Sequence, residues 1–252
     1  LHIASVKAGN GTFFAEDDFY IQMAFEWAQQ LGLIDGLPQN EGFRERMPLY
    51  PLLIAILSLS NIDSPLSIIF VNIVIDSGTC VIIAMLGCRL DRRVGVLAGT
   101  LGAIWPNLVI HSALVLNDTL FVFLFTSMLF WSLEYLKKPR IHAALFGGIL
   151  LGLAILTRPI GLILAPSMLI ACFVIAIYQK MSVRRSLVLA FAFILPTVIF
   201  VGPLILYNKV TFGNVTLTAQ TGTHLANWII PAVRKAENGT PLRITRNEMR
   251  EK

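Results

Sequence analysis

The sequence is poor in charged residues. Only 14% of its 252 residues are Asp, Glu, Lys or Arg, whereas soluble domains carry roughly 25%. Hydrophobic residues make up 56% of the chain, and the mean hydropathy is +0.72. This composition excludes an ordinary soluble domain and predicts an all-α integral membrane protein with several transmembrane helices.

Cysteine is also scarce, and several common signals are missing. Cys80, Cys88 and Cys172 all lie in apolar runs, so we expect small buried side chains rather than a disulfide framework or a metal site. The sequence shows no repeat, no low-complexity tract and no nucleic-acid motif, and we expect no nucleic-acid partner. It starts at Leu1 without a signal peptide and ends in a charged run, which favours a piece of a longer protein.

A six-helix transmembrane bundle is predicted for residues 66–207. A spanning helix needs roughly 20 apolar residues, and six apolar runs reach or approach that length: 66–88, 95–113, 119–136, 142–157, 160–178 and 187–207. An earlier apolar run, 49–60, has only about a dozen residues. We therefore predict that it is re-entrant or interfacial rather than spanning.

Basic residues are concentrated in alternate loops, and this sets the predicted orientation. Short loops rich in Lys and Arg usually face the cytoplasm. Three such loops carry three basic residues each, namely 89–93, 137–140 and 179–186. If 49–60 does not span, parity places residues 1–65, loop 114–118, Arg158 and residues 208–252 together on the extracytoplasmic face.

The first 65 residues are predicted to form an extracytoplasmic loop with juxtamembrane helices. Apolar side chains recur at helical spacing between residues 17 and 31, at Tyr20, Met23, Ala24, Trp27 and Leu31. The aromatic residues and the low charge of this segment are typical of an amphipathic helix at the membrane interface. Residues 208–252, rich in Thr, Gly and Asn at first and then charged, are predicted to form a second extracytoplasmic loop and tail.

Three adjacent acids stand just before that amphipathic segment. One aspartate of Glu16-Asp17-Asp18 could simply cap the helix, where it would accept bonds from free backbone N–H groups. Three acids together are harder to explain by capping. The alternative is a general base, or a divalent-metal site, held at the membrane surface.

Four other charged residues are candidates for substrate binding. Glu45 and Arg46 precede Pro48 and could be an interfacial pair, but the guanidinium group of Arg46 also suits phosphate oxygens. Asp118 follows Asn117 at a helix start, where capping is the simpler reading. Arg158, in the turn before Pro159, faces the side that basic residues usually avoid, so phosphate binding or a structural salt bridge would explain it.

Two features inside the bundle have simpler interpretations. Asp76 is an intramembrane acid and therefore a functional hypothesis, although Ser77 and Thr79 could solvate it in a structural role. The small residues of Gly148-x-x-x-Gly152 predict a face for close helix packing.

The order of several motifs resembles a known class of enzymes. The motifs are EDDFY (16–20), RMPLYPLLIA (46–55), WPNLVIHSALVLNDTLFVFL (105–124), GILLGLAILTRPIGLIL (148–164) and LYNKVTFGNVTL (206–217). Over about residues 12–230, this set resembles the GT-C integral-membrane glycosyltransferases. More narrowly, it is similar to the protein O-mannosyltransferase and lipid A aminoarabinose transferase group.

The resemblance implies a GT-C-type helix bundle with extracytoplasmic juxtamembrane helices. It implies a sugar donor on dolichyl or undecaprenyl phosphate, a lipid, glycan or protein acceptor, and inversion at the sugar. The family's loop aspartate, the base, corresponds to Asp17 or Asp18. Glu45 and Arg46 match an acidic-basic pair before the family's PPLY motif, Asp118 matches an acid after the third transmembrane helix, and Arg158 matches the TRP turn.

The location implied is a bacterial inner membrane, or the endoplasmic reticulum membrane of a eukaryote, with the active face extracytoplasmic. Two alternatives stay open: a transporter or flippase-like helical bundle, and a non-catalytic membrane subunit. A transporter is expected to place polar groups near the bilayer midplane, where this sequence has mainly Asp76.

Overall fold

The computed structural model describes residues 47–59, 65–218, 225 and 229–238. Within these ranges every regular element is helical, which confirms the prediction of an all-α membrane protein. The helices are α1 Leu49–Leu59, α2 Pro65–Gly87, α3 Arg92–Ala103, α4 Pro106–Ser112, α5 Asp118–Lys137, α6 Ile141–Thr157, the 3₁₀ helix η1 Pro159–Ile163, α7 Leu164–Tyr178, α8 Val183–Phe212 and α9 Ile230–Asn238.

Among the described residues, three helical stretches are long and apolar enough to cross a membrane: Leu66–Gly87, Pro159–Tyr178 and Val183–Phe212. Helices α3 and α4 would make a fourth if counted together, although they meet at a bend of 52°. Helix α6 is apolar but has only 17 residues. The count of six spanning helices stays a prediction.

The predicted run 95–113 is broken rather than continuous. Trp105 has extended backbone angles (φ −68°, ψ 117°), and Pro106 starts the next helix. A residue before proline is pushed out of the helical region by the proline ring, so α3 ends and α4 starts in a new direction. Helix α8 is longer than the predicted run 187–207. It continues to Phe212 and ends at Gly213, which has the left-handed conformation (φ 72°).

Helices α6 and α8 pack closely, as the glycine spacing predicts. A Cβ atom on Gly148 would collide with the carbonyl oxygen of Phe193, and one on Gly152 would lie 3.2 Å from the Cα of Thr197. The Thr197 hydroxyl donates to the Gly148 carbonyl at 2.9 Å. Small residues therefore let the two backbones approach, and a hydroxyl joins them.

The three basic loops meet at one end of the bundle, which we call the basic end. Arg89 forms an ion pair with Glu134 near the end of α5, and its guanidinium group lies 4.6 Å from the centre of the Phe130 ring. Arg185, at the start of α8, donates to the Pro139 carbonyl at 3.2 Å. These contacts join the loops around residues 89, 139 and 182, as the alternation of basic loops predicts.

The cysteines are all unbridged, but their burial differs from the prediction. Cys172 is buried and Cys80 is half-buried, whereas Cys88 is exposed. The prediction of buried side chains is therefore wrong for Cys88, because α2 ends at Gly87 and the thiol lies in the turn that follows.

Candidate functional site

An ion pair lies at the opposite end of the bundle from the basic loops. The Arg158 Nη1 group donates to the Asp118 carboxylate, and the side chains remain 41% and 24% exposed, respectively. Asp118 is the first residue of α5, and Arg158 lies between α6 and η1. Two candidates that are 40 residues apart in sequence are thus in direct contact.

Proline fixes the position of Arg158. The residue has extended backbone angles (φ −144°, ψ 131°) because Pro159 follows it, and this ends α6. The Arg158 backbone N–H still bonds to the Ala154 carbonyl at 2.9 Å, and its carbonyl accepts from Gly161 at 3.0 Å. These two hydrogen bonds fix the backbone of Arg158 at the end of α6, so the position from which its side chain extends is defined.

Asn117 fixes the chain immediately before Asp118. Its side-chain amide does not cap α5 but donates across the bundle to the Thr157 carbonyl at 2.9 Å. Asp118 lies in the first turn of α5, where a carboxylate also interacts favourably with the helix dipole. The loop before α5 and the end of α6 are therefore tied together by one hydrogen bond and one ion pair.

A buried asparagine joins α1 to this end of the bundle. The Asn72 side-chain amide donates to the Tyr50 hydroxyl at 3.0 Å and to the Leu114 carbonyl at 2.8 Å. Asn72 is 1% exposed and Tyr50 is fully buried. The start of α1, the first half of α2 and the loop before Asp118 thus form one connected unit, which we call the Asp118 end.

Replacing Asn72 by leucine is expected to destabilise the fold by about 1–2 kcal/mol, because the variant loses the buried hydrogen bonds from the Asn72 amide to the Leu114 carbonyl and to the Tyr50 hydroxyl. The measurement is the midpoint of thermal unfolding in detergent. Asn107→Leu is the matched control, since Asn107 is exposed on α4, and it should leave the midpoint nearly unchanged. Equal midpoints for the two variants would contradict a stabilising role for Asn72.

The sequence-predicted residues fall into two groups. Asp118 and Arg158 are in contact at the Asp118 end. Glu16, Asp17, Asp18, Glu45 and Arg46 lie outside the described residues, as does the amphipathic segment between residues 17 and 31. The described neighbour of Arg46, Met47, is buried just before α1.

The comparison with protein families shows which family the chain belongs to. The profile of the dolichyl-phosphate-mannose-protein mannosyltransferase family matches residues 45–206, which is more than half of the chain. The chain belongs to this mannosyltransferase family. The match begins at Glu45 and contains Arg46, Asp118 and Arg158, whereas Asp17 and Asp18 precede it. No curated protein and no solved structure matches the chain.

Membership makes the chain a GT-C membrane glycosyltransferase that depends on a polyprenyl-phosphate-linked sugar. Sequence reasoning singled out both members of the ion pair but missed Asn72 and Tyr50. Asn72 is a polar residue in an apolar run, as is Asp76 four residues later. Its role depends on the contact between α1 and α2, which sequence spacing does not show.

Two further features of this glycosyltransferase concern polar groups near the ion pair and within α2. Thr119, beside Asp118, is buried, and its hydroxyl has no hydrogen-bond partner within the described ranges. Asp76 is half-buried on α2. The hydroxyls of Ser77 and Thr79, expected to solvate Asp76, instead donate to the carbonyls of Ile73 and Ile75 in their own helix.

In the part of the chain that the structure describes, no three His, Cys, Asp or Glu side chains come together as metal ligands. The residues that the sequence suggested for a divalent metal, Glu16, Asp17 and Asp18, lie outside that part. Metal binding by these acids therefore stays a prediction.

Proposed function

We propose that the protein transfers a sugar from a polyprenyl-phosphate donor to an acceptor hydroxyl at the extracytoplasmic membrane surface, with inversion at the sugar. The observation that carries this proposal is the Asp118–Arg158 pair at the Asp118 end. Arg158 is held in place there by Pro159 and by the Asp118 carboxylate, and 41% of its side chain stays exposed.

Arg158 is proposed to bind the donor phosphate. A guanidinium group has five N–H donors, and only one of them is used in the bond to Asp118. The remaining donors can bind phosphate oxygens in the geometry that such groups prefer. As the sugar leaves, negative charge grows on the phosphate, and a pre-positioned cation stabilises it. Arg46, three residues before α1, is proposed as a second cation for the same phosphate, with Glu45 as its partner.

Asp17 or Asp18 is proposed as the general base. The acceptor oxygen forms a bond to the anomeric carbon of the sugar while the bond from that carbon to the phosphate oxygen breaks. The hydroxyl proton passes to the carboxylate, and the polyprenyl phosphate leaves as an anion. Attack from the face opposite the phosphate inverts the anomeric carbon. Binding of a divalent cation with Glu16 is the alternative role for these acids.

The extracytoplasmic location rests on the position of the basic loops. Because Arg89, Lys138 and Arg185 belong to loops at the basic end, the positive-inside tendency puts that end in the cytoplasm and the Asp118 end outside.

In a background without the native cysteines, Ala113→Cys should react with a membrane-impermeant maleimide in intact cells. Lys138→Cys should react only after permeabilisation, and the reverse pattern would overturn the orientation.

The activity is tested with the purified chain and radiolabelled mannose on undecaprenyl or dolichyl phosphate, in membranes that supply acceptors. Mannose is the first sugar to test because the family description names it. Label should move into acceptor material, and free polyprenyl phosphate should appear in equal amount. Transfer from a nucleotide-linked sugar alone would contradict the proposal, and movement of intact donor across the membrane without transfer would favour the transporter alternative.

A further inference from the structure

A cleft of about 620 Å³ opens at the basic end, between the starts of α6 and α8. Its lining includes Arg140 and His142 from one side and Arg184 and Arg185 from the other. It lies at the opposite end of the bundle from the Asp118–Arg158 pair, so it is separate from the site proposed for sugar transfer.

Within the described residues, the arginines of the cleft have no acidic partner. The ion pairs Arg89–Glu134 and Arg158–Asp118 lie outside the cleft. Helices α6 and α8 also start here, at Ile141 and Val183, so two positive helix-dipole ends add to the arginine charge. The site therefore suits an anion.

The three arginines of the cleft differ in their contacts with the protein. Arg185 donates to the Pro139 carbonyl at 3.2 Å and so joins the two walls of the cleft. Arg140 and Arg184 are exposed, and they make no side-chain hydrogen bond or ion pair to a described residue. The cleft thus combines one structural arginine with two that are available to a ligand.

The walls of the cleft also carry exposed apolar side chains. Ile141 and Val188 line the cleft and are 52% and 48% exposed. Phe191, in the next turn of α8, is 62% exposed, so apolar surface continues from the cleft along a helix that is long enough to span the bilayer. A ligand that fits both features has an anionic head and a hydrocarbon tail.

We propose that this cleft binds an anionic glycerophospholipid, with its phosphate on Arg140 and Arg184 and an acyl chain along Val188 and Phe191. Basic pockets between transmembrane helices at the cytoplasmic surface bind lipid headgroups in this way. The positive-inside tendency explains basic residues at this end but does not require them to converge in a cleft with apolar walls.

The test is a titration of the delipidated chain, in uncharged detergent, with dioleoylphosphatidylglycerol, followed by native mass spectrometry. Each removed charge should weaken the affinity about fivefold, so Arg140→Gln with Arg184→Gln should weaken it roughly 30-fold. Arg92→Gln with Arg93→Gln is the matched control, since both residues are exposed at the same end and outside the cleft. The control should change the affinity by less than about twofold.

Three results would overturn the proposal: equal losses in the two double variants, equal binding of dioleoylphosphatidylcholine, and displacement of phosphatidylglycerol by an equal concentration of inorganic phosphate, which would indicate a free-anion site. Arg140→Lys with Arg184→Lys keeps the charge and should retain binding within a few-fold. Arg184→Gln alone should weaken binding about fivefold, and it decides the matter if the double variant does not fold.

Discussion

Arg158→Gln is expected to lower kcat/KM for the polyprenyl-phosphate donor by about 10²–10³-fold, the usual loss when one pre-positioned donor to a transition-state oxyanion is removed. Glutamine keeps two N–H donors but carries no charge to match the departing phosphate. The change also leaves Asp118 without its partner. Initial rates of label transfer, measured over a range of donor concentrations, give the effect on kcat and KM separately.

A structural ion pair and a phosphate-binding arginine predict different results when the charges are exchanged. Asp118→Arg with Arg158→Asp can rebuild the pair but moves the cation to the start of α5. We expect this double variant to recover much of the thermal stability lost by Arg158→Gln and to remain inactive. Recovery of transfer together with stability would contradict phosphate binding by Arg158.

The second ion pair of the bundle provides the matched control. Arg89 and Glu134 are partly exposed, at 20% and 37%, as are Asp118 and Arg158, but they lie at the basic end. Arg89→Gln therefore removes an equivalent contact far from the proposed site. It should lower stability about as little as Arg158→Gln does, because partly exposed pairs contribute only about 0–1 kcal/mol. It should leave donor-dependent transfer within about twofold, because the pair lies at the other end of the bundle.

The fold was predictable from sequence where the signal is local. Low charge and long apolar runs predict membrane helices, and the length of 49–60 predicts a helix too short to span, in agreement with the 11-residue α1. The break at Trp105 also has a local signal, since Pro106 follows it. The sequence predicts 95–113 as one apolar run, and the structure divides that run between α3 and α4.

The two members of the ion pair stand out in the sequence one by one, but their contact does not. Charge and position mark Asp118 and Arg158 as candidates, and the sequence leaves capping, a salt bridge and phosphate binding open. Their contact depends on how α5 lies against α6, which no local pattern encodes. The buried Asn72 bond to Leu114 was missed for the same reason, because it joins residues from two separate helical segments.

Replacing Asp17 and Asp18 together by asparagine is expected to lower transfer by about 10²–10⁴-fold, the range for loss of a general base. Asparagine has nearly the same size and can still cap a helix, so a pure capping role predicts little loss. The single variants identify the base: one should retain most of the activity and the other should match the double variant. The rate is measured with saturating donor, so that loss of the base appears in kcat.

A base and a metal ligand give different responses to metal. If the acids bind a divalent cation, chelation should abolish transfer by the wild-type protein, and Glu16→Gln should be damaging as well. If one of them is the base, transfer should withstand chelation and Glu16→Gln should remain active. Asp91→Asn serves as the control, because Asp91 is an exposed N-cap at the start of α3, far from the Asp118 end, and asparagine caps about as well. Full activity in both single variants and in the double variant would exclude Asp17 and Asp18 as the base and would direct the search toward Glu45 and Asp118.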